Sequence, residues 1–178
     1  MVDLLLSLFP CFKSVSQESA SHGARKPLNT CKFCFVSKEK GFNVIYEDED
    51  FVAFVDRKPA STHHFLVVPK AHIVSVRSLK QADAELVKSM EVIGNELLES
   101  KGIPPEMRRM GFHIPPFNSV YHLHLHVQGL PYLSSGRAAK YPYCVGQGDN
   151  SKGLTWFAEV RQVIRILEQG KRVGVLPC

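Results

Sequence analysis

Residues 121–128 read Tyr-His-Leu-His-Leu-His-Val-Gln, and imidazole alternates with aliphatic side chains from His122 to Val127. In an extended strand successive side chains point to opposite faces. His122, His124 and His126 are therefore expected on one face, and Leu123, Leu125 and Val127 on the other. The aliphatic face belongs against a core. The opposite face carries three imidazoles, each of which needs polar partners once covered. Three readings are open for it. It can be an exposed polar face that happens to be rich in histidine. It can be a bare metal site, because His-x-His is a ligand spacing. Or it can do nucleophilic and acid–base work, which is the favoured reading.

The rest of the chain supplies what such a strand must pair with. Phe42–Glu47 and Phe51–Asp56 are apolar β-type runs, with the acidic tetrad Glu47, Asp48, Glu49, Asp50 at their junction, so two strands joined by a tight turn are expected. His64–Val68 is apolar after its histidine and closes at Pro69, as a buried central strand would. From Ala82 to Glu99 the apolar residues Leu86, Met90, Ile93 and Leu97 recur at helical spacing, and Gly102 and Pro104 end that helix. Met107–Ile114 reads as a strand stopped by Pro115-Pro116. Trp156, Val160, Val163, Ile164 and Leu167 mark a final helix that Gly170 terminates. Strands outnumber helices and the early ones are consecutive, which favours an α+β fold with an antiparallel sheet.

At 178 residues the chain is expected to hold one domain. Residues 1–30 differ in composition and read as a flexible N-terminal extension, with structure beginning near Cys31. Within it Leu4–Phe9 is apolar but short and follows Asp3 rather than a basic stretch, against a secretory signal. Nothing approaches a membrane span. Five cysteines without regular spacing disfavour a disulfide framework and fit a reducing compartment. Lys plus Arg exceed Asp plus Glu by 22 to 17, a net charge of +5. That suits an anionic small molecule and is too weak for nucleic acid. Arg108, Arg109 and Lys101 read as a solvated edge rather than a track for an anionic polymer.

The segment His122–Gln128 resembles the signature of the histidine triad superfamily, His-φ-His-φ-His-φ-φ with φ apolar, and departs from it only at Gln128. Thr62-His63-His64-Phe65-Leu66-Val67-Val68-Pro69-Lys70-Ala71-His72 resembles the family strand that ends in Pro-Lys-x-His. Cys31-Lys32-Phe33-Cys34 resembles the Cys-x-x-Cys that opens many members. Met110-Gly111-Phe112-His113-Ile114-Pro115-Pro116-Phe117 looks most like the histidine triad nucleotide-binding protein 3 branch, which sits near aprataxin. The resemblance implies a histidine triad fold over residues 31–178, with an antiparallel sheet of about five strands, two main helices and the C-terminal helix included.

It also implies roles. His124 maps to the nucleophile that attacks the α-phosphorus of a nucleoside 5′-phosphoramidate, giving AMP and an amine through a nucleotidyl-histidine; acyl-adenylates are related substrates. His126 maps to the residue that touches the phosphate and assists the leaving group, His122 to the first triad histidine, and His64 to the histidine behind the site. Asp56 matches an acidic residue that accepts the ribose hydroxyls, and Ser119 a serine near the phosphate. Where another branch has an asparagine on the phosphate this chain has Gly111, and His113 is the candidate to replace it or is a core histidine. Some members hold structural zinc with residues that map to Cys31, Cys34, His72 and His122; the other reading is two buried thiols. No cofactor is expected in catalysis. The implied partners are a purine nucleotide and a second copy of the chain, with nucleic acid disfavoured, in the cytoplasm and also the nucleus. The competing functions are an aprataxin-like deadenylase on nucleic-acid ends and a non-catalytic nucleotide scaffold. After His126 there is no further histidine, so the zinc finger of an aprataxin cannot be built there.

Overall fold

The computed structural model describes residues 26–178. Leu4–Phe9 and residues 1–25 of the proposed extension lie outside the described residues. The elements run β1 (Val44–Glu47), β2 (Phe51–Val55), β3 (Ser61–Pro69), α1 (Ala84–Glu99), β4 (Arg108–His113), β5 (Leu125–Tyr132), α2 (Ser135–Ala138), β6 (Phe157–Glu159) and α3 (Val160–Glu168). The strands form one sheet in the order β1-β2-β3-β5-β4-β6, with every neighbouring pair antiparallel.

The pleat sorts the residues. Phe51, Ala53, Phe65, Val67, Met110, Phe112, Leu125 and Val127 point to one face and join Val87, Met90, Ile93, Val163 and Ile166 from α1 and α3 in the main core. Their neighbours Val52, Phe54, Leu66 and Val68 point the other way and pack with Cys31 and Phe33 in a smaller cluster. His64 on β3 and His126 on β5 share this second face, because they alternate with the core residues along their strands. α1 runs close to the sheet at Gly94: a Cβ there would stand 2.7 Å from the Met110 sulfur and 2.9 Å from Val127 Cγ2.

Two elements differ from the sequence expectation. The strand carrying the triad starts at Leu125 and continues to Tyr132, so His122 and His124 sit in the loop that leads into it. Their main-chain groups are bonded elsewhere: Leu123 N–H donates to Ile73 O (2.6 Å), and His122 O accepts from a side chain. The sheet also has a sixth strand. Phe157–Glu159, read as the start of the last helix, pairs with β4 through Gly111, Phe112 and His113. The helix begins one residue later because Glu159 caps it, accepting from Arg161 N and Gln162 N, while the Gln162 side chain accepts from Glu159 N.

The close approach of β6 to β4 explains Gly111. A Cβ there would meet Ala158 O at 2.4 Å and the Phe157 ring at 2.6 Å, so an asparagine has no room. Gly111→Ala is expected to cost the upper end of the ~1–3 kcal/mol typical of overpacking. At about 2–4 °C per kcal/mol for a chain of this size, thermal denaturation should show Tm lower by roughly 6–12 °C. An unchanged Tm would mean that β6 does not seat on β4 at this point.

Candidate active site

A cavity of about 570 Å³ opens on the second face of the sheet, within the range of small-molecule sites. The strand order places its parts. Phe54 of β2 and Leu66 of β3 join Phe33 and Phe42 as an apolar wall at one side. His124 and His126 lie in the middle, and His113 of β4 lies beyond them. Asp56, at the end of β2, and Ser119, on the exposed loop before the triad, also line it. The two residues that the resemblance gives to ribose and phosphate thus line one cavity.

His124 is 7% exposed. Its Nδ1–H donates to the backbone carbonyl of His122 at 2.6 Å, which leaves Nε2 with the lone pair. The Phe33 ring stands edge-on at 5.5 Å. Burial holds the His124 pKa below the ordinary imidazole value, so at neutral pH the ring is uncharged. A neutral imidazole with one nitrogen tied and the other bare is the form that can attack an electrophile.

His126 is wedged between two other histidines, 3.0 Å from His64 on one side and 3.0 Å from His113 on the other. Burial pushes His126 well below its ordinary pKa, takes His64 down to about 4 and lowers His113. The site is thus a set of neutral rings. Asp56 Oδ1 accepts from Lys58 N at 2.7 Å, and Oδ2 stands 3.5 Å from His64 Nε2. His63 is half-buried on the other face of β3, as alternation requires.

His122 takes a different place from the other two triad members. Its ring points away from the cavity, toward the cysteines, and it serves His124 through its carbonyl. Its Nδ1 lies 3.4 Å from Cys31 Sγ and 3.5 Å from Cys34 Sγ, and His72 Nδ1 lies 3.2 Å from Cys34 Sγ. All four ligand atoms fall within 4.8 Å of one another. A tetrahedral zinc with ordinary Zn–S and Zn–N bonds has S···N edges of ~3.5 Å, so the set fits that ion. His122 Nε2–H donates to Pro69 O at 2.8 Å, which keeps the lone pair on Nδ1 where a metal would need it. A second group, Asp56, His64 and His126, also brings three ligand atoms together. There the two imidazole nitrogens are bonded to each other instead.

Lys140 and Tyr141 carry no sequence signal, and Phe117 and Trp156 read in other roles, within the Met110–Phe117 motif and at the start of the last helix. Lys140 and Tyr141 follow the short helix α2 in an irregular stretch, and Phe117 and Trp156 come from separate loops, their rings 5.6 Å apart. Gln128, which departs from the apolar pattern, is fully buried on the site face. It lies 3.4 Å from His64 Nε2, and Tyr132 Oη contacts its other amide atom at 3.2 Å. Its even register with the triad histidines was the available signal. Arg108 donates to Ile103 O and Asn95 Oδ1, and Arg109 lies over the Tyr143 ring, so neither is laid out as a polymer track.

Residues 30–141 match the family model described as scavenger mRNA decapping enzyme C-term binding. The chain is 45% identical over 137 residues to the bifunctional adenosine 5′-phosphosulfate phosphorylase/adenylylsulfatase HINT4 of Arabidopsis thaliana, covering 75% of this chain and 93% of that one. It is 34% identical over 164 residues to the adenosine 5′-monophosphoramidase HINT3 of Danio rerio, covering 90% and 94%. Among solved structures, a HIT family hydrolase from Clostridium thermocellum is similar with a TM-score of 0.54 at 29% identity, covering 60% of this chain and 96% of that one.

Proposed function

The chain belongs to the histidine triad family, and on that basis we propose that it is a nucleotide hydrolase that cleaves adenosine 5′-phosphoramidates to AMP and an amine. The observation that carries this is the bare Nε2 of a neutral, buried His124 in a nucleotide-sized cavity beside Asp56. His124 Nε2 attacks the α-phosphorus. A P–N bond to His124 forms as the P–N bond to the amine breaks, and water then cleaves the nucleotidyl-histidine. Splitting one displacement into two lowers each barrier. His126 donates from Nε2 to a non-bridging phosphate oxygen and offers the leaving nitrogen a route for its proton. His64 holds His126 from behind. The wall of Phe33, Phe42, Phe54 and Leu66 takes the purine, and Ser119 faces the phosphate. Zinc on Cys31, Cys34, His72 and His122 belongs to the same proposal. It would tie the Cys-x-x-Cys segment to the loop that holds His124 and would leave no coordination position for substrate.

A second substrate class, adenosine 5′-phosphosulfate, is favoured by the 45% identity to a relative whose name carries that activity. A panel of phosphoramidate, acyl-adenylate, phosphosulfate, dinucleoside polyphosphate and an adenylylated DNA end, ranked by kcat/KM, tests both. The phosphoramidate should be turned over with AMP as product. Turnover of none would make the protein a binding scaffold, and turnover of adenylylated nucleic-acid ends alone would make it a deadenylase. The homodimer and the cytoplasmic and nuclear location rest on the resemblance, and light scattering and imaging of the full chain test them.

Asp56→Ala should weaken AMP about 10- to 100-fold, the worth of a charge-assisted hydrogen bond of ~1.5–3 kcal/mol. A 2′,3′-dideoxy nucleotide should lose little further affinity in the variant. Equal losses for both nucleotides in calorimetric titrations would take Asp56 out of the ribose contact.

A further inference from the structure

Three imidazole rings, His113, His126 and His64, are joined end to end, and both ends are main-chain groups whose polarity is fixed. At one end the carbonyl of Lys140 lies 2.9 Å from His113 Nε2. A carbonyl only accepts, so His113 carries its proton on Nε2 and leaves Nδ1 as an acceptor. His113 Nδ1 lies 3.0 Å from His126 Nε2, so His126 carries its proton on Nε2 and presents a bare Nδ1. That Nδ1 lies 3.0 Å from His64 Nε2, which is therefore an N–H. At the other end His64 Nδ1 accepts from the main-chain N–H of Ala60 at 3.0 Å.

Read from either end, the assignment is the same. The Asp56 carboxylate agrees with it. Asp56 Oδ2, an acceptor, stands 3.5 Å from His64 Nε2. Gln128 lies with Nε2 3.4 Å from His64 Nε2 and Oε1 accepting from Tyr132 Oη, so the assignment requires its amide to be turned over, oxygen to His64 and nitrogen to Tyr132. The Tyr141 ring covers the chain, with centroids 5.7 Å from His64, 5.3 Å from His126 and 5.0 Å from His113. His113 is further held by the Phe157 ring at 5.3 Å.

We propose that His113 is a positioning residue for the reaction: with the Lys140 carbonyl as its anchor, it accepts the Nε2–H that the Ala60–His64 end leaves on His126 and holds that N–H facing the cavity. This rests on the phosphate contact given to His126 above. A free neutral imidazole holds its proton on either nitrogen, and only the Nε2–H form can donate to the phosphate. Before substrate arrives, His113 Nδ1 stands in for the phosphate oxygen. The short segment around Lys140 and Tyr141, which no motif marks, thereby acts on the phosphate through two histidines.

The test reads the tautomer directly. Long-range ¹H–¹⁵N spectra of histidine-labelled, substrate-free protein should show His126 as Nε2–H alone. In His113→Ala the Ala60–His64 end still keeps the proton on Nε2, but that N–H loses its acceptor, so its proton signal should move upfield and exchange faster with water. Turnover of the best substrate should fall about five- to tenfold in kcat, the worth of one net hydrogen bond, with KM changed less than threefold. His113→Asn is the second variant. Its amide places an oxygen near the position of Nδ1, so the wild-type proton shift and most of kcat should return. Two results would overturn the proposal: a His126 Nε2–H proton unchanged in shift and exchange in the alanine variant, or a rise in KM with kcat unchanged, which would make His113 a plain substrate contact. If the wild-type protein turns over no adenylyl compound, the function proposed above fails and the spectra alone decide this one.

Discussion

His124→Ala is expected to lose hydrolysis of its best substrate by roughly 10³–10⁶-fold, the range seen when a covalent nucleophile is removed. The size follows from what the side chain does. Nε2 is the atom that would bond to phosphorus, and no neighbouring ring replaces it: His126 Nε2 and Nδ1 are both engaged, and the His122 ring faces the cysteines. The loss should fall on kcat, because the apolar wall and Asp56 remain to bind the nucleotide. AMP affinity should stay within a few fold, and the fold should survive because the His122 carbonyl loses only one side-chain donor. A variant that keeps a tenth of wild-type activity would remove His124 from the chemistry.

The second large effect concerns stability. Purified protein should hold close to one zinc per chain, bound by Cys31, Cys34, His72 and His122. Cys34→Ser should lose the metal and stability together. The site joins the start of the domain to the end of β3 and to the triad loop, and a ligand that binds only the folded chain stabilises it by RT ln(1 + [L]/Kd), about 2.7 kcal/mol at a hundredfold excess over Kd. At about 2–4 °C per kcal/mol, stripping the zinc should lower Tm by roughly 5–11 °C. Activity per folded molecule should survive, because in the proposed mechanism Nε2 of His124 and not a metal-bound hydroxide is the attacking group. Metal-free protein of unchanged Tm would return the cysteines to plain buried thiols. Activity that vanishes with a chelator while the fold persists would make the protein a metallohydrolase.

The parts of this site that the sequence discloses are those that follow a period. Leu125 and Val127 against His126, and Phe65 and Val67 against His64 and Leu66, alternate as strands must, and the structure sets them on the expected faces. The alternation misleads just upstream. His122 and His124 continue the pattern in letters but precede the strand, since the Ile73 carbonyl binds Leu123 N and the cysteines face the His122 ring. Contacts across 91 residues, such as Cys31 to His122, leave no local trace. They were reachable only through the resemblance. Phe157–Glu159 is too short to show alternation before the helical spacing of α3 begins. Lys140 contributes a carbonyl to His113, and a main-chain group has no sequence signature at all.

The central claim is a covalent bond between His124 and the nucleotide, and the most direct measurement is to trap it. Enzyme mixed with an adenosine 5′-phosphoramidate in excess should be quenched within the first turnover, kept at alkaline pH where phosphoramidate bonds to histidine persist, and digested for mass spectrometry. The account predicts one adenylyl group per chain on the peptide that contains His124, released by mild acid as AMP and absent from His124→Ala. An adenylyl group on another residue would contradict it, as would first-turnover AMP formed with no adduct by a variant that lacks His124.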